Sequence, residues 1–364
     1  MLNSRAKGIN RLLCGGDFIL YEKRITNRGQ LREMLDIFDL SDVENTDYTV
    51  GIFDDNQQLL GFGSLRDDII VGVVVNKEAQ REGISAKIIS HLIKAAAEQG
   101  KSTLHIFTKP EKAHYFVDMG FRKIAEAPPY TTMLEWGDYA LEEYLRYLKS
   151  RLFENCPEAA VIVINANPFT NGHKYLVEKA AGENDYVYVV VVEEDCSLFP
   201  FEARLALVQK CTAHLSNVRV LSGGRYLVSA LTFPSYFTQE HQLAFAHASL
   251  DIALFATHIA PTLNIKTRYI GTEPYNETTY VYNEIIKQLL PTIGIYVVEI
   301  ARVGTDGEII SASAVRHLFS EPVLTEQNMV KLRSLVPPPA YAFIVDHWVE
   351  LVSRSAQLLQ GRIV

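Results

Sequence analysis

The sequence predicts an α/β protein of two domains, the second built on a doubly wound parallel sheet. The chain has 364 residues, which is more than one typical hydrophobic core accommodates, so two domains are expected. After residue 158, buried β-branched runs alternate with segments of helical periodicity, and this alternation is typical of parallel sheets covered by helices. Such sheets bind ligands beyond the carboxyl ends of their strands, so the chemistry is expected there.

Composition and charge exclude several classes of protein. Hydrophobic residues make up 48% of the chain and charged residues 21%, which is ordinary for a globular protein. The formal net charge of -8 argues against a nucleic-acid partner held by phosphate contacts. No apolar run reaches the roughly 18 residues of a membrane helix, and no segment has signal-peptide form. The four cysteines form no CxxC pair, so neither a zinc site nor a disulfide framework is expected, and we expect a cytoplasmic protein with no membrane partner.

Residues 1–137 are expected to form the N-terminal domain. A polar turn at Asp54 separates two predicted strands, and a helix with apolar residues at helical spacing follows the third strand. The predicted strands and helices are strands 49–55, 59–65, Ile69–Val75 and Leu104–Thr108, helices Ser85–Gln99 and Glu111–Asp118, and a strand that opens at Gly120.

A helical connector is expected over residues 138–157, and the second domain over 158–364. The predicted strands of the second domain are Ala159–Asn165, Tyr186–Glu193, Val218–Leu221, Thr267–Gly271 and Gly294–Ile300. The predicted helices are His173–Ala181, Phe201–His214, 238–257 and Thr279–Leu290.

The segment Asn165–His173 joins the first of these strands to its helix. A glycine at position 172 lets the backbone approach a phosphate group, and the helix N-terminus offers unpaired N–H groups. His173 can donate a hydrogen bond to phosphate oxygens as negative charge develops. The alternative is a plain strand-to-helix turn, capped by Asn171, with a structural histidine.

Two later segments are expected at the same edge of the sheet. Gly271, Thr272 and Glu273 end a predicted strand. Ser311, Ser313 and Arg316 lie just before a predicted helix, where hydroxyl groups and a guanidinium could hold phosphates. A capped surface helix is the alternative for this last segment, but it does not explain why three such features share one edge.

These segments resemble known motifs. Pro168–His173 resembles the HxGH motif of the nucleotidyltransferase superfamily, and Ile310–Arg316 resembles its ISxTxVR-type motif. Thr170 stands where the first histidine of HxGH would be. More closely, the second domain resembles the citrate lyase ligase family, and the stretches that carry this likeness are Asn165–His173, Phe199–Arg204, Leu231–Phe237, Gly271–Pro274, Tyr282–Asn283 and Ile300–Arg302.

The resemblance implies a HUP- or Rossmann-like nucleotidyltransferase domain that uses ATP and Mg²⁺. It implies that acetate attacks the α-phosphorus, giving acetyl-adenylate, and that a thiol on the citrate lyase acyl-carrier subunit then takes the acetyl group. His173, Arg316 and Thr170 are the expected catalytic residues, and no metal ligand in the chain is expected. The expected ATP-binding residues are Asn167, Phe169, Gly172, Gly271, Thr272, Glu273, Ser311 and Ser313. Arg204 is expected either to contact the phosphates or to pair with Glu202.

The first domain carries a second motif. The stretch Asn76–Ser85 resembles the Q/R-x-x-G-x-G/A loop of GNAT acyltransferases, whose backbone N–H groups hold the pyrophosphate of coenzyme A. Tyr115–Phe121 resembles the later F-x-x-x-G-F segment of that family. The expected binding residues are Gln80, Arg81, Gly83 and Ser85. By this resemblance the first domain is a GNAT-like fold, hypothesised to bind the carrier's prosthetic group, which is related to dephospho-coenzyme A.

Three other functions stay open at this point, the third being that the superfamily domain has taken a different carboxylate or an RNA substrate, of which the acidic balance disfavours RNA. The first is a nucleotide adenylyltransferase of the HxGH superfamily, which Thr170 and the appended GNAT-like domain disfavour. The second is a regulatory protein that senses acyl-coenzyme A without catalysis. Retention of His173, both serines and Arg316 disfavours that reading.

Overall fold

A computed structural model describes residues 9–13, 19–26, 29–37, 46–79, 83–193, 197–228, 240–273, 277–302, 304–305 and 308–359. The chain divides into two compact units. The first comprises Met1–Ala140 with Pro234–Ala246, and the second comprises Leu141–Phe233 with His247–Val364. The limits given above from sequence for two domains and a connector stay a prediction.

The first unit is built on an eight-stranded sheet. Its strands are β1 (Ile9–Leu13), β2 (Ile19–Arg24), β3 (Tyr48–Phe53), β4 (Leu59–Arg66), β5 (Ile69–Val75), β6 (Thr103–Thr108), β7 (Arg122–Ala127) and β8 (Thr131–Gly137). Their order in the sheet is β1-β2-β3-β4-β5-β6-β8-β7. The helices are α1 (Gly29–Ile37), α2 (Ile84–Glu98) and α3 (Ala113–Val117).

The strands β5 and β6 form the one parallel pair among the described strands of this sheet. Their pairing covers Ile69↔His105 and Ile70↔Ile106, so the described strands diverge toward the carboxyl end of β5. Helix α2 follows β5 and buries Ile88 and Leu92 against the sheet.

The second unit contains a five-stranded sheet in which every described strand pair is parallel. Its strands are β9 (Ala159–Ile164), β10 (Val187–Val191), β11 (Val218–Ser222), β12 (Ile265–Gly271) and β13 (Tyr296–Ile300). The order β11-β10-β9-β12-β13 reverses direction between β9 and β12. This confirms the predicted doubly wound sheet, and the switch point lies where the segments after β9 and β12 begin.

Helices cover this sheet. They are α4 (Ala140–Lys149), α5 (Asn171–Glu183), α6 (Phe201–Thr212), α7 (Glu240–Leu254), α8 (Ala260–Thr262), α9 (Glu277–Leu289), α10 (Ala312–His317), α11 (Glu326–Leu335), α12 (Pro338–Asp346) and α13 (Trp348–Leu359). A π-helical segment, Phe255–Ile259, follows α7, and a two-stranded ribbon pairs β14 (Gly304–Thr305) with β15 (Glu308–Ile309). Within the described residues, no helix has both the length and the apolarity needed to cross a membrane.

The hydrophobic core of the second unit shows why the sequence pattern predicted some strands and helices and missed others. All five residues of β10 are buried, and they pack with β9 and with Val177 of α5. Helices α11, α12 and α13, which no sequence pattern above predicted, add Leu332, Ile344 and Trp348 to the same core. Packing against that core stabilises these three helices, because tertiary packing supplies most of the stability of a short helix.

Candidate active site

The turn after β9 is held in place by buried polar contacts. The Asn165 carbonyl accepts a hydrogen bond of 2.8 Å from the Arg204 guanidinium. The Asn167 side-chain oxygen accepts one of 3.0 Å from the Phe199 N–H group. Phe169 is fully buried in the core of the unit, so its predicted contact with ATP would involve its backbone. The turn therefore presents the N-terminus of α5 in a fixed orientation.

Thr170 and His173 form a capping box at that N-terminus. The Thr170 N–H group donates to His173 Nδ1 over 3.1 Å, and the His173 N–H group donates to Thr170 Oγ1 over 3.4 Å. Because a backbone N–H can only donate, Nδ1 must be the accepting nitrogen of the ring. The proton of the neutral imidazole therefore sits on Nε2, which becomes the donor available to a ligand.

The pKa of His173 is lowered to about 4, first by burial and then by the positive charge of Arg302. The imidazole is therefore neutral at pH 7 and donates a hydrogen bond without contributing positive charge. The Thr170 hydroxyl lies 2.9 Å from His173 Nδ1, and its side chain is buried. The geometry gives Thr170 a role in positioning His173, whereas its predicted contact with phosphate stays a prediction.

Arg316 brings α10 to the turn after β9. Its Nη1 donates to the Asn167 carbonyl over 2.7 Å, and its Nη2 donates to the Ser313 hydroxyl over 2.9 Å. Ser311 caps α10, since its hydroxyl accepts the Ala314 N–H group at 3.1 Å. A Cβ atom added at Gly172 would meet the Ile310 carbonyl oxygen at 3.4 Å, an ordinary contact distance, so the segment before α10 packs against the start of α5.

The segment after β12 is organised by Arg302. Its N–H group donates to Thr272 Oγ1 over 3.1 Å, its Nε donates to the Thr272 carbonyl over 2.6 Å, and its Nη2 pairs with the Glu273 carboxylate. The Gly271 carbonyl accepts a hydrogen bond from the Asn283 side chain. Since the charge of Arg302 also acts on His173, all three predicted segments meet at one edge of the sheet.

Sequence reasoning missed the role of Arg302, which entered only as part of a family-like stretch. Its signal was its position two residues beyond the carboxyl end of β13. The guanidinium of Arg204 is fully buried and donates to the carbonyls of Phe199, Asn165 and Val192, whereas its contact with phosphates or with Glu202 stays a prediction. Arg204 therefore supports the turn after β9.

The site suits a polyphosphate. It combines the N-terminus of α5, the Nε2 donor of His173 and the guanidinium groups of Arg302 and Arg316. Helix N-termini and arginines are the groups that proteins use for phosphate oxygens. Among the described residues, no group of three His, Cys, Asp or Glu side chains is close enough to hold a metal ion.

The second predicted site lies at the N-terminus of α2 in the first unit. Gly83 occupies the position before this helix with φ of 67°, a left-handed conformation that favours glycine, and among the described residues no side chain caps the helix. Ser85 is half-buried in the first turn. Gln80 and Arg81 lie outside the described residues. The N–H groups of the first turn are thus left for a ligand or solvent.

Comparison with known proteins identifies both units. The family described as Citrate lyase ligase C-terminal domain matches residues 159–344, and the Acetyltransferase (GNAT) domain matches residues 25–142. The latter confirms the predicted GNAT-like fold of the first unit.

Curated relatives extend over most of the chain. A [Citrate [pro-3S]-lyase] ligase from Klebsiella pneumoniae is 36% identical over 80% of this chain and 84% of its own length. One from Escherichia coli (strain K12) is 34% identical over 85% of this chain and 90% of its length. A Phosphopantetheine adenylyltransferase from Nautilia profundicola is 27% identical over 34% of this chain and 88% of its length. The chain therefore belongs to the citrate lyase ligase family.

Proposed function

We propose that this ligase activates acetate with ATP as acetyl-adenylate and transfers the acetyl group to the prosthetic-group thiol of the citrate lyase acyl-carrier subunit, releasing AMP and diphosphate. The observation that carries the proposal is the arrangement of His173. Its neutral ring can donate a hydrogen bond from Nε2 at the N-terminus of α5. Arg302 acts on this ring, and Arg316 lies at the same edge of the sheet. Membership of the family, with its ligase relatives, supports the substrates.

In the first step an acetate oxygen forms a bond to the α-phosphorus, and the bond from that phosphorus to the diphosphate oxygen breaks. Negative charge moves to the departing diphosphate. His173 donates its Nε2–H to that group, and Arg302 and Arg316 offset its charge. Such transfers depend on positioning and charge stabilisation more than on covalent chemistry by the protein.

In the second step the carrier thiolate attacks the acyl carbon, a C–S bond forms, and the C–O bond to AMP breaks. The thiol proton leaves to solvent. Mg²⁺ would be held mainly by phosphate oxygens and water, which is its usual mode with nucleotides, and the described residues offer no ligand cluster of their own. Its contribution would be to neutralise phosphate charge.

Trapping with hydroxylamine tests the first step. The protein is incubated with ATP, acetate and hydroxylamine, and acetyl-hydroxamate and AMP are quantified. Equal amounts of the two products are expected. The similarity to an adenylyltransferase favours one rival, so 4′-phosphopantetheine is supplied in a parallel reaction. Formation of dephospho-coenzyme A with no hydroxamate would establish the rival and refute the ligase proposal.

The GNAT-like unit is proposed to hold the pyrophosphate of the carrier's prosthetic group at the N-terminus of α2. Gly83→Asp places a negative charge there, so we expect the KM for the carrier to rise about tenfold while the KM for ATP is unchanged. Gly83→Ala measures backbone strain alone. Gly100→Asp is the matched control, because Gly100 also has positive φ and open space around it but follows the C-terminus of α2. Equal carrier KM values in all variants would refute this role.

A further inference from the structure

Two buried charges in the second unit take no part in the mechanism above. Asp251 on α7 is 0% exposed and Arg268 on β12 is 2% exposed. Full burial of an aspartate and an arginine is rare unless each is paired or bound. Their surroundings therefore indicate what holds them there.

Tyr282 of α9 links the two charges. Its hydroxyl donates to the Asp251 carboxylate over 2.5 Å and accepts a hydrogen bond of 3.3 Å from Arg268 Nη2. The other Asp251 oxygen accepts the Val228 N–H group at 2.6 Å. The Arg268 guanidinium also lies over the ring of Phe255, 4.9 Å from its centre. The guanidinium is thus fixed in one orientation.

The other two nitrogens of this guanidinium, Nε and Nη1, make no hydrogen bond to the described residues. Within the described residues, Arg268 Nε and Nη1 are buried and have no hydrogen-bond partner. Leaving charged donors buried without acceptors is costly, and such groups in native proteins usually meet a ligand or an ordered water. Tyr282 accepts a hydrogen bond from Nη2, so the donors that remain available to a ligand are those on Nε and Nη1.

Two backbone features adjoin the same cluster. Val228, whose N–H group binds Asp251, has φ of 46°, and this left-handed conformation is strained for a β-branched residue. Phe255, which underlies Arg268, opens the π-helical segment Phe255–Ile259. Strained residues and π-helical turns both concentrate at functional sites. The φ of Val228 and the π-helical segment are observations independent of the missing hydrogen bonds at Arg268 Nε and Nη1.

The cluster is connected to the candidate ATP-binding segment. Arg268 lies three residues before Gly271 on β12, a distance of about 10 Å along the strand. Asn283, the neighbour of Tyr282 on α9, donates to the Gly271 carbonyl over 3.0 Å. One strand and one helix therefore hold both the cluster and the segment that follows the strand.

We propose that Arg268 binds the carboxylate of the small acid substrate, with Tyr282 and Asp251 positioning its guanidinium. The inference rests on the proposed function, because that function supplies the acid. Because Asp251 already offsets the charge of Arg268, a doubly charged phosphate would leave more uncompensated negative charge in this buried cluster than a monoanionic carboxylate would. The apolar ring of Phe255 beside the guanidinium suits a ligand that is small and partly apolar.

Equilibrium binding of ¹³C-acetate, followed by NMR line broadening, tests this assignment without turnover. Arg268→Gln is expected to weaken acetate binding at least tenfold and to leave the affinity for ATP within twofold of wild type. Arg268→Lys, which retains the charge, is expected to recover part of the loss. Arg219→Gln is the control, since Arg219 also stacks over an aromatic ring of this unit, that of Phe153, and acetate binding should not change.

Unchanged acetate affinity in Arg268→Gln would overturn the proposal and leave Arg268 a structural residue. If circular dichroism shows that this variant does not fold, Tyr282→Phe decides instead. It releases Nη2 and should weaken acetate binding severalfold with ATP binding intact, so wild-type affinity there would equally overturn the proposal. Acetate binding that depends on Arg268 without hydroxamate formation would refute the proposed function alone. Hydroxamate formation with the same acetate KM in wild type and Arg268→Gln would refute this inference alone.

Discussion

Each unit encloses a histidine, and the two titrate in opposite directions. His105 on β6 is fully buried, with Nδ1 3.2 Å from the Asp68 carboxylate and Nε2 3.4 Å from the Glu135 carboxylate. Burial acts to lower the pKa of this ring, but the two carboxylates outweigh it and the pKa is raised. His173 is half-buried, and burial together with the positive charge of Arg302 lowers its pKa to about 4.

The contrast shows that burial lowers the pKa of both imidazoles, and that the neighbouring charges decide whether the net shift is a rise or a fall. The carboxylates of Asp68 and Glu135 raise the pKa of His105 against the effect of burial, and Glu135 also pairs with Arg122. The ring nitrogens of His105 face protein groups, which indicates a structural role. Only Nδ1 of His173 makes a hydrogen bond to the protein, in the capping box, and among the described residues no group accepts a hydrogen bond from Nε2. That ring is the one prepared for a ligand.

The largest expected effect comes from breaking the His105 cluster. Glu135→Gln removes one of the two carboxylates beside His105 and the carboxylate that pairs with Arg122, and it should lower the free energy of unfolding by about 3 kcal/mol. Urea titration followed by circular dichroism measures the change. Glu126→Gln, which removes the exposed partner of Lys123, should cost under about 1 kcal/mol. Equal losses in the two variants would contradict a buried cluster.

Removing the ring of His173 tests the other side of the comparison. His173→Ala deletes the Nε2 donor and should lower kcat for acetyl-hydroxamate formation about 100-fold, the usual effect of losing one donor to a transition state. The protein should remain folded. His214→Ala removes an exposed histidine of the same unit that contacts Glu178, and its kcat should stay within twofold of wild type. Wild-type kcat in His173→Ala would refute the assigned role.

The two histidines also predict the pH dependence of stability. The raised pKa of His105 gives stability that is complete below the unfolded value of about 6.5 and is lost as pH rises through the folded value. The lowered pKa of His173 acts on the other side, because between about 6.5 and about 4 the unfolded chain binds a proton that the folded chain does not. Urea midpoints measured from pH 5 to 9 should therefore fall in both directions. The alkaline fall should flatten in His105→Gln, and an unchanged profile in that variant would show that another group is responsible.

The smallest effect concerns Arg302. Arg302→Met removes the charge that helps lower the pKa of His173, so this pKa should rise from about 4 toward its usual value. NMR titration of the imidazole Cε1–H resonance follows the change. Arg333→Met, at an arginine that lies over the ring of Tyr341, serves as the control. A pKa that stays near 4 would assign the whole shift to burial.

Much of the fold and part of the site followed from the sequence. The β-branched run at Ile69–Val75 predicted β5 with the bounds that the structure shows, and the strand-then-helix pattern placed Asn165–His173 at the carboxyl end of β9. These features are local, because periodicity and turn residues are encoded over a few positions. Helices α11 to α13 were not predicted, because their apolar residues pack into a core that is assembled from distant segments of the chain.

The sequence by itself therefore determined the two α/β units, the sheet edge that carries the chemistry and the residue types that lie there. Only the tertiary structure decided how those residues are used. It lowered the pKa of His173 through burial and Arg302, turned Arg204 into a support for the turn after β9, and enclosed Arg268 with Asp251. The physical reason is that the state of a charged or polar side chain depends on its burial and its partners, and these partners come from segments far apart in the chain.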